Sequence, residues 1–282
     1  MIRAPIKFVM PPSLKEAAEL LARAGLDGRV VGGGSILVTS MSAGLDHPKV
    51  VIDPARLGLD QVVEIKGGAL IGARATYAAL LKSQVIRDRL PLLHAMISEV
   101  TGGPGLWNLA TLGGSSCYAN PASDGPACLV ALRARFHLYS IYGERIVEAR
   151  DFFQGAFKTA RASNEILTHI FVSSEETLPR VAYSKLKHAG SSWPMVTAAC
   201  QLSVMEEDAY LRLAVGGLAE RPVFAEWKVT HSADLPMAND LATAILAKVE
   251  HGWSDELADG EYRLKAAKSV VTRVLQNVLE NR

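Results

Sequence analysis

The stretch "RVVGGGSILV", Arg29 to Val38, is the strongest local constraint on this chain. Two β-branched residues run into three consecutive glycines, then a serine and another apolar run. Only glycine enters such strained turns without steric cost. The run therefore marks an abrupt reversal after a buried strand. It is not the G-x-G-x-x-G of a dinucleotide-binding βαβ unit, because the glycines are consecutive. It is not a phosphate-binding P-loop either, since no Gly-Lys-Ser/Thr follows. Two readings stay open at this point. One is a plain tight turn. The other is a concavity of backbone N–H groups suited to a phosphate or diphosphate, with the Ser35 hydroxyl as an extra donor.

The flanking sequence gives the glycines a setting. Ser13 and Glu16 form a capping-box signature for a helix whose Leu14, Ala17, Ala18 and Leu21 share one face. Gly25 ends that helix, "RVV" follows as a strand, "SILVTSMSAG" as a short helix or loop, and "KVVIDP" as a second short strand. Residues 1–54 thus read as a small α/β unit. "QVVEIKGGALIGARAT" is a hairpin about Gly67-Gly68. Thr76 caps a helix over "YAALLKSQVI", and Pro91 opens another over "PLLHAMISEV". "LWNLATLGGSSCYANPASDGPA" shows little helical logic. "DFFQGAF" reads as a short helix and "EILTHIFVSS" as a strand. A boundary falls near "SSEETLPR", residues 173–180, which is polar and carries a proline. Beyond it, "RVAYSKLKHAG" and the paired strands around an "EEDAY" turn predict about three strands covered by two helices. The last helix presents Leu264, Ala267, Val270, Val271, Val274, Leu275 and Val278 on one face.

Composition narrows the function. The 282 residues carry 30 basic and 29 acidic side chains, a net charge of +1. That balance argues against non-specific binding to nucleic acid or a membrane surface. The first residues lack the apolar core of a signal peptide, and nothing approaches the roughly 18 consecutive apolar residues of a membrane span. A soluble, cytoplasmic protein is the expectation. The three cysteines, Cys117, Cys128 and Cys200, form no C-x-x-C pair and predict neither a disulfide framework nor a metal or iron–sulfur site. If electrons pass through this protein, another chain must supply any iron–sulfur clusters. The seven histidines are scattered without ligand spacing, and no G-x-S-x-G or H-E-x-x-H is present. No catalytic and no metal-ligating residue is assigned.

A second Gly-Gly-Ser stretch, "ATLGGSS" at residues 110–116, raises the weight of the phosphate reading. Two such loops would grip one diphosphate from both sides. Asp124 follows in "NPASDGPA", either as a local Asx cap or as an acceptor for sugar hydroxyls.

At these residues the chain resembles the FAD-binding medium subunits of molybdenum hydroxylases, of the aerobic carbon monoxide, nicotine and xanthine dehydrogenase type. "VVGGGSILV" is similar to the family's first FAD loop. "NLATLGGSSCYANPASDGPACLVAL" is similar to its second, commonly N-x-G-T-I-G-G-N followed by A-x-P-x-S-D. "AYSKLKHAGSSWPMV", "RLAVGGLAERPVFA" and "DGEYRLKAAKSVVTRVL" resemble three C-terminal stretches of the family, in order. The chain departs from the pattern at Trp107, Leu109 and Ala110, where the family often has Arg, Arg or Ser, and Gly. It also has Ser115 in place of Asn.

The resemblance implies an α+β protein. A vanillyl-alcohol-oxidase (PCMH)-type FAD-binding domain would span residues 1–174, in subdomains of about 1–54 and 55–174. A small α+β domain would follow over 179–282. It implies that Val30, Val31, Gly32, Gly33, Gly34, Ser35, Ile36 and Leu37 line the diphosphate and ribityl region. Ala110, Thr111, Gly113, Gly114 and Ser115 would form the opposing loop. Cys117 would lie near the isoalloxazine, Asp124 would bind ribityl hydroxyls and Leu167 would touch the adenine or ring region. Lys185 would approach the flavin, with Lys187 as a competing alignment. FAD would be this chain's cofactor. The molybdenum-pterin cofactor and two [2Fe–2S] clusters would sit on a large and a small partner subunit, in a dimer of heterotrimers. Electrons from the clusters would pass through FAD to an external acceptor. A stand-alone flavin oxidoreductase and a flavin-free interaction subunit are the alternatives.

Overall fold

Small local signals start most of the helices, and three sheets carry the chain in order. The computed structural model describes residues 2, 5–174, 177–205, 208–231 and 234–280. Helix α1 (Leu14–Ala24) begins where Ser13 Oγ accepts the Glu16 N–H at 3.2 Å, and it buries Ala17, Ala18 and Leu21. It packs on a small parallel sheet of β1 (Lys7–Val9), β2 (Gly28–Val30) and β3 (Val50–Ile52), in the order β1-β3-β2. The crossover from β2 to β3 runs through the glycines and the short helix α2 (Leu37–Ala43). Strand β1 is not anticipated by the sequence reading: Lys7 and Phe8 are both exposed, so it has no apolar alternation to detect.

The middle sheet is antiparallel, in the order β4-β5-β10-β6-β7. Its strands are β4 (Val62–Ile65), β5 (Gly68–Gly72), β6 (Arg135–Ser140), β7 (Gly143–Glu148) and β10 (Ile166–Ser173). Ile65 faces Gly68 across the expected hairpin, whose turn is made by Lys66 and Gly67, the latter at φ 85°. Between the strands lie α3 (Tyr77–Lys82), α4 (Gln84–Arg89), α5 (Pro91–Glu99), α6 (Gly103–Trp107), α7 (Leu112–Tyr118), α8 (Asp124–Ala131) and α9 (Ala149–Phe152), with the small hairpin β8 (Phe153–Gly155) and β9 (Lys158–Thr159). Thr76 caps α3 as expected, but the helix does not run on through "SQVI". Ser83 leaves helical geometry, and its Oγ accepts the Ile86 N–H to start α4.

The stretch read as lacking helical logic holds α6, α7 and α8. Their glycines and prolines hide them from propensity, and α8 is buried at all of its positions, so it shows no apolar stripe. It packs against α5 on one side and against β12 (Pro194–Met205) and β13 (Asp208–Gly216) on the other.

The third sheet has four strands, not about three. β11 (Thr177–Lys187), β12, β13 and β14 (Val223–Val229) pair antiparallel in chain order. The additional strand is β14, which starts just after Pro222 and pairs with β13 from Val215–Val223 to Ala209–Val229. Within the expected "EEDAY" turn and the expected boundary stretch, residues 206–207 and 175–176 lie outside the described residues. Helices α10 (Ala238–Leu246) and α11 (Gly260–Glu280) cover one face of this sheet. The expected face of α11 is buried from Ala267 to Val278, with Leu264 packed partly against it. No described helix is long and apolar enough to cross a membrane.

Arg263, also on α11, is fully buried. Its guanidinium donates to the carbonyls of Met195, Gly217 (3.3 Å) and Ala258 (3.3 Å), pairs with Asp255 and lies 4.8 Å from the Trp253 ring centroid. Replacing it with leucine orphans these carbonyls and the Asp255 carboxylate. Arg263→Leu is expected to cost about 3–5 kcal/mol of unfolding free energy. Urea denaturation checks this, and a loss below about 1 kcal/mol would refute the anchoring role.

Candidate functional site

The glycine run and the segment 109–111 lie directly against each other. A Cβ on Gly33 would sit 1.5 Å from the Leu109 carbonyl oxygen, and one on Gly32 would sit 2.7 Å from Thr111 Oγ1. Gly34 adopts φ 75°, in the left-handed region. Glycine is required here by contact as well as by backbone angle. Among the described residues, the backbone N–H groups of Gly32, Gly33, Gly34 and Ser35 have no protein acceptor.

The second Gly-Gly-Ser stretch is not a loop. Thr111 is the N-cap of α7, its Oγ1 accepting the Gly114 N–H at 3.0 Å, so Gly113, Gly114 and Ser115 are helical. The expected two-loop grip is corrected accordingly. The N–H groups of Leu112 and Gly113 donate to Ala75 and Ala73, and that of Ser115 donates to Thr111. Backbone donors come from the glycine run, while α7 supplies a wall and side chains.

These elements enclose a cavity of about 740 Å³. Val30, Gly32, Gly33, Gly34, Ser35, Ile36, Leu37, Ala110, Thr111, Gly114, Ser115, Cys117 and Asp124 line it. The remaining candidates lie elsewhere. Val31 packs with Met41 and Val51 beneath the small sheet. Gly113 faces Ala73, whose carbonyl oxygen would be 2.5 Å from a Cβ. Leu167 is in the core under the middle sheet. Lys185 stands behind Asp124.

Other lining residues escaped the sequence reading. Ser123 is one, and among the described residues its buried Oγ has no hydrogen-bond partner. Tyr77, Thr101, Tyr118, Phe157 and the segment Ser191–Pro194 are others. They are brought in by tertiary packing from distant parts of the chain. Only Ser123, adjacent to Asp124, carried a local signal. Trp107, one of the departures from the family pattern, donates its indole N–H to the Val100 carbonyl at 2.8 Å and braces the turn that forms one side of the cavity.

Asp124 is the buried charge of the site. Its Oδ1 accepts the Tyr183 hydroxyl at 2.6 Å and the Lys185 ammonium at 2.8 Å. The Lys185 side chain is 4% exposed and that of Asp124 7%. Lys185 Nζ also donates to the Glu99 carbonyl and to Thr101 Oγ1 at 3.3 Å. Lys187 takes the outer place, bound to Gly190 O at 2.8 Å and Thr101 Oγ1 at 3.4 Å. Burial, then the Asp124 charge, holds the Tyr183 hydroxyl far above the usual tyrosine range, so it remains a donor. Burial likewise raises Tyr77, against a hydrogen bond with Ser115.

Comparison with known proteins identifies the family. Residues 4–174 match the family described as the FAD binding domain in molybdopterin dehydrogenase. The carbon monoxide dehydrogenase medium chain of Afipia carboxidovorans is 31% identical over 98% of this chain and 97% of its own length. The nicotine 6-hydroxylase medium subunit of Paenarthrobacter nicotinovorans is 28% identical over 96% of each. The structure of carbon monoxide dehydrogenase from Hydrogenophaga pseudoflava superposes with a TM-score of 0.89 at 26% identity, covering 99% of both chains. The chain belongs to the FAD-binding family of molybdopterin dehydrogenases. It is an oxidoreductase subunit of the medium, flavin-binding kind.

Burial raises the Cys117 thiol above its usual range, with Arg161 pulling the other way. Cys117 is the partly exposed cysteine, while Cys128 and Cys200 are buried. Alkylation at neutral pH is expected to be slower at Cys117 than at a free cysteine, with the rate still climbing above the ordinary thiol range, near pH ~8.5. Mass spectrometry of the adducts checks this. A rate at neutral pH equal to that of free cysteine would contradict it.

Proposed function

We propose that the cavity holds FAD, with the diphosphate on the glycine run, and that the chain works as the electron-transfer subunit of a molybdenum hydroxylase complex. The observation that carries this reading is the cradle itself. Four consecutive residues whose N–H donors have no protein acceptor among the described residues line a cavity of about 740 Å³. Backbone N–H groups in a concavity suit a diphosphate, and ligand cavities typically measure roughly 300–1,000 Å³. The residues present therefore fit the cofactor.

Gly32, Gly33, Gly34 and Ser35 donate to the diphosphate, between the side chains of Val30, Ile36 and Leu37. Ser115 and Asp124 accept from ribityl hydroxyls. Ala110, Thr111 and Gly114 form the facing wall, Cys117 lies by the ring system, and Val31, Gly113 and Leu167 support these positions from behind. When bound, FAD takes up electrons arriving from partner clusters and delivers them to an external acceptor. This chain's own work is to bind and orient it.

The large molybdopterin subunit and the small subunit with two [2Fe–2S] clusters complete the assembly, as a cytoplasmic dimer of heterotrimers. The medium-subunit relatives support this assignment. The FAD-binding domain comprises residues 1–174, divided near 54, and the C-terminal domain residues 179–282. The three-sheet order and the family match over 4–174 support that division.

The test is purification of the full chain from its native host. FAD is expected at one per chain, together with a molybdopterin subunit and an iron–sulfur subunit. Gly33→Val, whose side chain meets the Leu109 carbonyl, is expected to abolish flavin retention while far-UV circular dichroism stays that of the wild type. Stoichiometric FAD in that variant would return the glycine run to a plain turn. A fully active chain purified alone would remove the subunit reading.

A further inference from the structure

The Lys185 ammonium is fully engaged inside the protein. It binds Asp124 Oδ1, the Glu99 carbonyl and Thr101 Oγ1, and it is not part of the cavity lining. Tyr183 stands two residues earlier on the same strand, so both side chains leave the same face of β11. That face meets α5 and α8: Tyr183 packs on the core under the middle sheet, whereas Ala182 and Leu186 pack on the opposite side with α10 and α11. Both donors converge on one carboxylate oxygen, at 2.6 and 2.8 Å. Among the described residues, Asp124 Oδ2 has no hydrogen-bond partner, and Asp124 borders the cavity.

We propose that Tyr183 and Lys185 are positioning residues, a two-point clamp from the C-terminal sheet that holds Oδ1 of Asp124 and aims its Oδ2 at a ligand hydroxyl in the cavity. Lys185 thus acts on the cofactor through Asp124 and not by touching the flavin. This rests on the FAD reading above and deepens it. Two charge-assisted bonds to one oxygen fix both the plane and the rotation of the carboxylate. They leave the second oxygen, an acceptor with nothing else to do, as the group a ribityl hydroxyl meets. The clamp also makes cofactor affinity depend on how the C-terminal sheet seats against α8.

A double-mutant cycle on the full chain, in the assembly it purifies in, tests the clamp. FAD affinity is measured by flavin titration of the stripped protein. Asp124→Ala and Lys185→Met are each expected to weaken FAD binding about ten- to a hundredfold, the scale of a lost charge-assisted hydrogen bond. The double variant should be no weaker than Asp124→Ala alone. Losses that multiply would place the ammonium on the flavin and overturn the clamp.

Tyr183→Phe keeps every charge and packs the same ring, so it serves where Lys185→Met fails to fold. It should weaken FAD binding several-fold although Tyr183 does not line the cavity. Unchanged affinity in Tyr183→Phe overturns the proposal. A wild-type chain that takes up no FAD overturns the cofactor reading, and the clamp with it.

Discussion

Helix α8 is the joint on which the molecule turns. Its eight residues are all buried, between the core under the middle sheet and the inner faces of β12 and β13. A helix covered on every side tolerates few large side chains, and "DGPACLVA" meets that demand with glycine, proline, alanine and cysteine before its first leucine. On the facing strand, a Cβ at Gly216 would lie 3.4 Å from the Ala127 Cβ. Two sheets can therefore close on one short helix. Its N-terminal residue, Asp124, is then carried to the place where the cavity, α5 and β11 meet.

The ion pair at this joint is not mainly a source of stability. Two charges taken out of water lose about as much in solvation as they gain in attraction, unless further hydrogen bonds complete their shells. Lys185 meets that condition through Glu99 O and Thr101 Oγ1; Asp124 meets it only at Oδ1, where the Tyr183 hydroxyl joins the ammonium. What such a network contributes is direction. Asp124 cannot rotate without breaking bonds to both β11 residues, and β11 cannot slide without unseating a buried ammonium. Geometry at the cavity and docking of the third sheet are held by the same atoms.

Legibility in the sequence followed the range of the interactions. Ser13, Thr76 and Pro91 announced their helices because capping is decided within three or four residues, and the Gly67 hairpin and the α11 face were legible for the same local reason. Strand β1 and helices α6–α8 were not, since exposed Phe8 and an all-round buried helix both lack the periodicity that betrays an element. The glycine run was legible as a strained turn, yet its reason is tertiary. Gly33 is glycine because the Leu109 carbonyl occupies the space of a side chain, 76 residues away in the chain. Tyr183 went unread although its spacing from Lys185 on a strand was visible. Nothing local says which face of β11 meets α8.

The two Gly-Gly-Ser stretches illustrate how similar words serve different physics. In the first, the N–H groups have no protein acceptor among the described residues, and their residues line the cavity. In the second, Thr111 caps a helix, and Gly113 is small so that α7 can press against Ala73. The same inward economy continues in the C-terminal part. Arg263 spends its donors on Met195 and Gly217 carbonyls, and Met195 follows directly on the Ser191–Pro194 segment that borders the cavity. A Cβ on Gly217 would come within 2.2 Å of the Met195 carbonyl, so that turn is packed to contact. The far wall of the cavity is thus anchored through a buried guanidinium on the last helix, as Asp124 is anchored through a buried ammonium on β11. Both anchors belong to the C-terminal sheet and its helices. That part of the chain contributes few groups to the cavity surface, but it fixes the positions of those that form it.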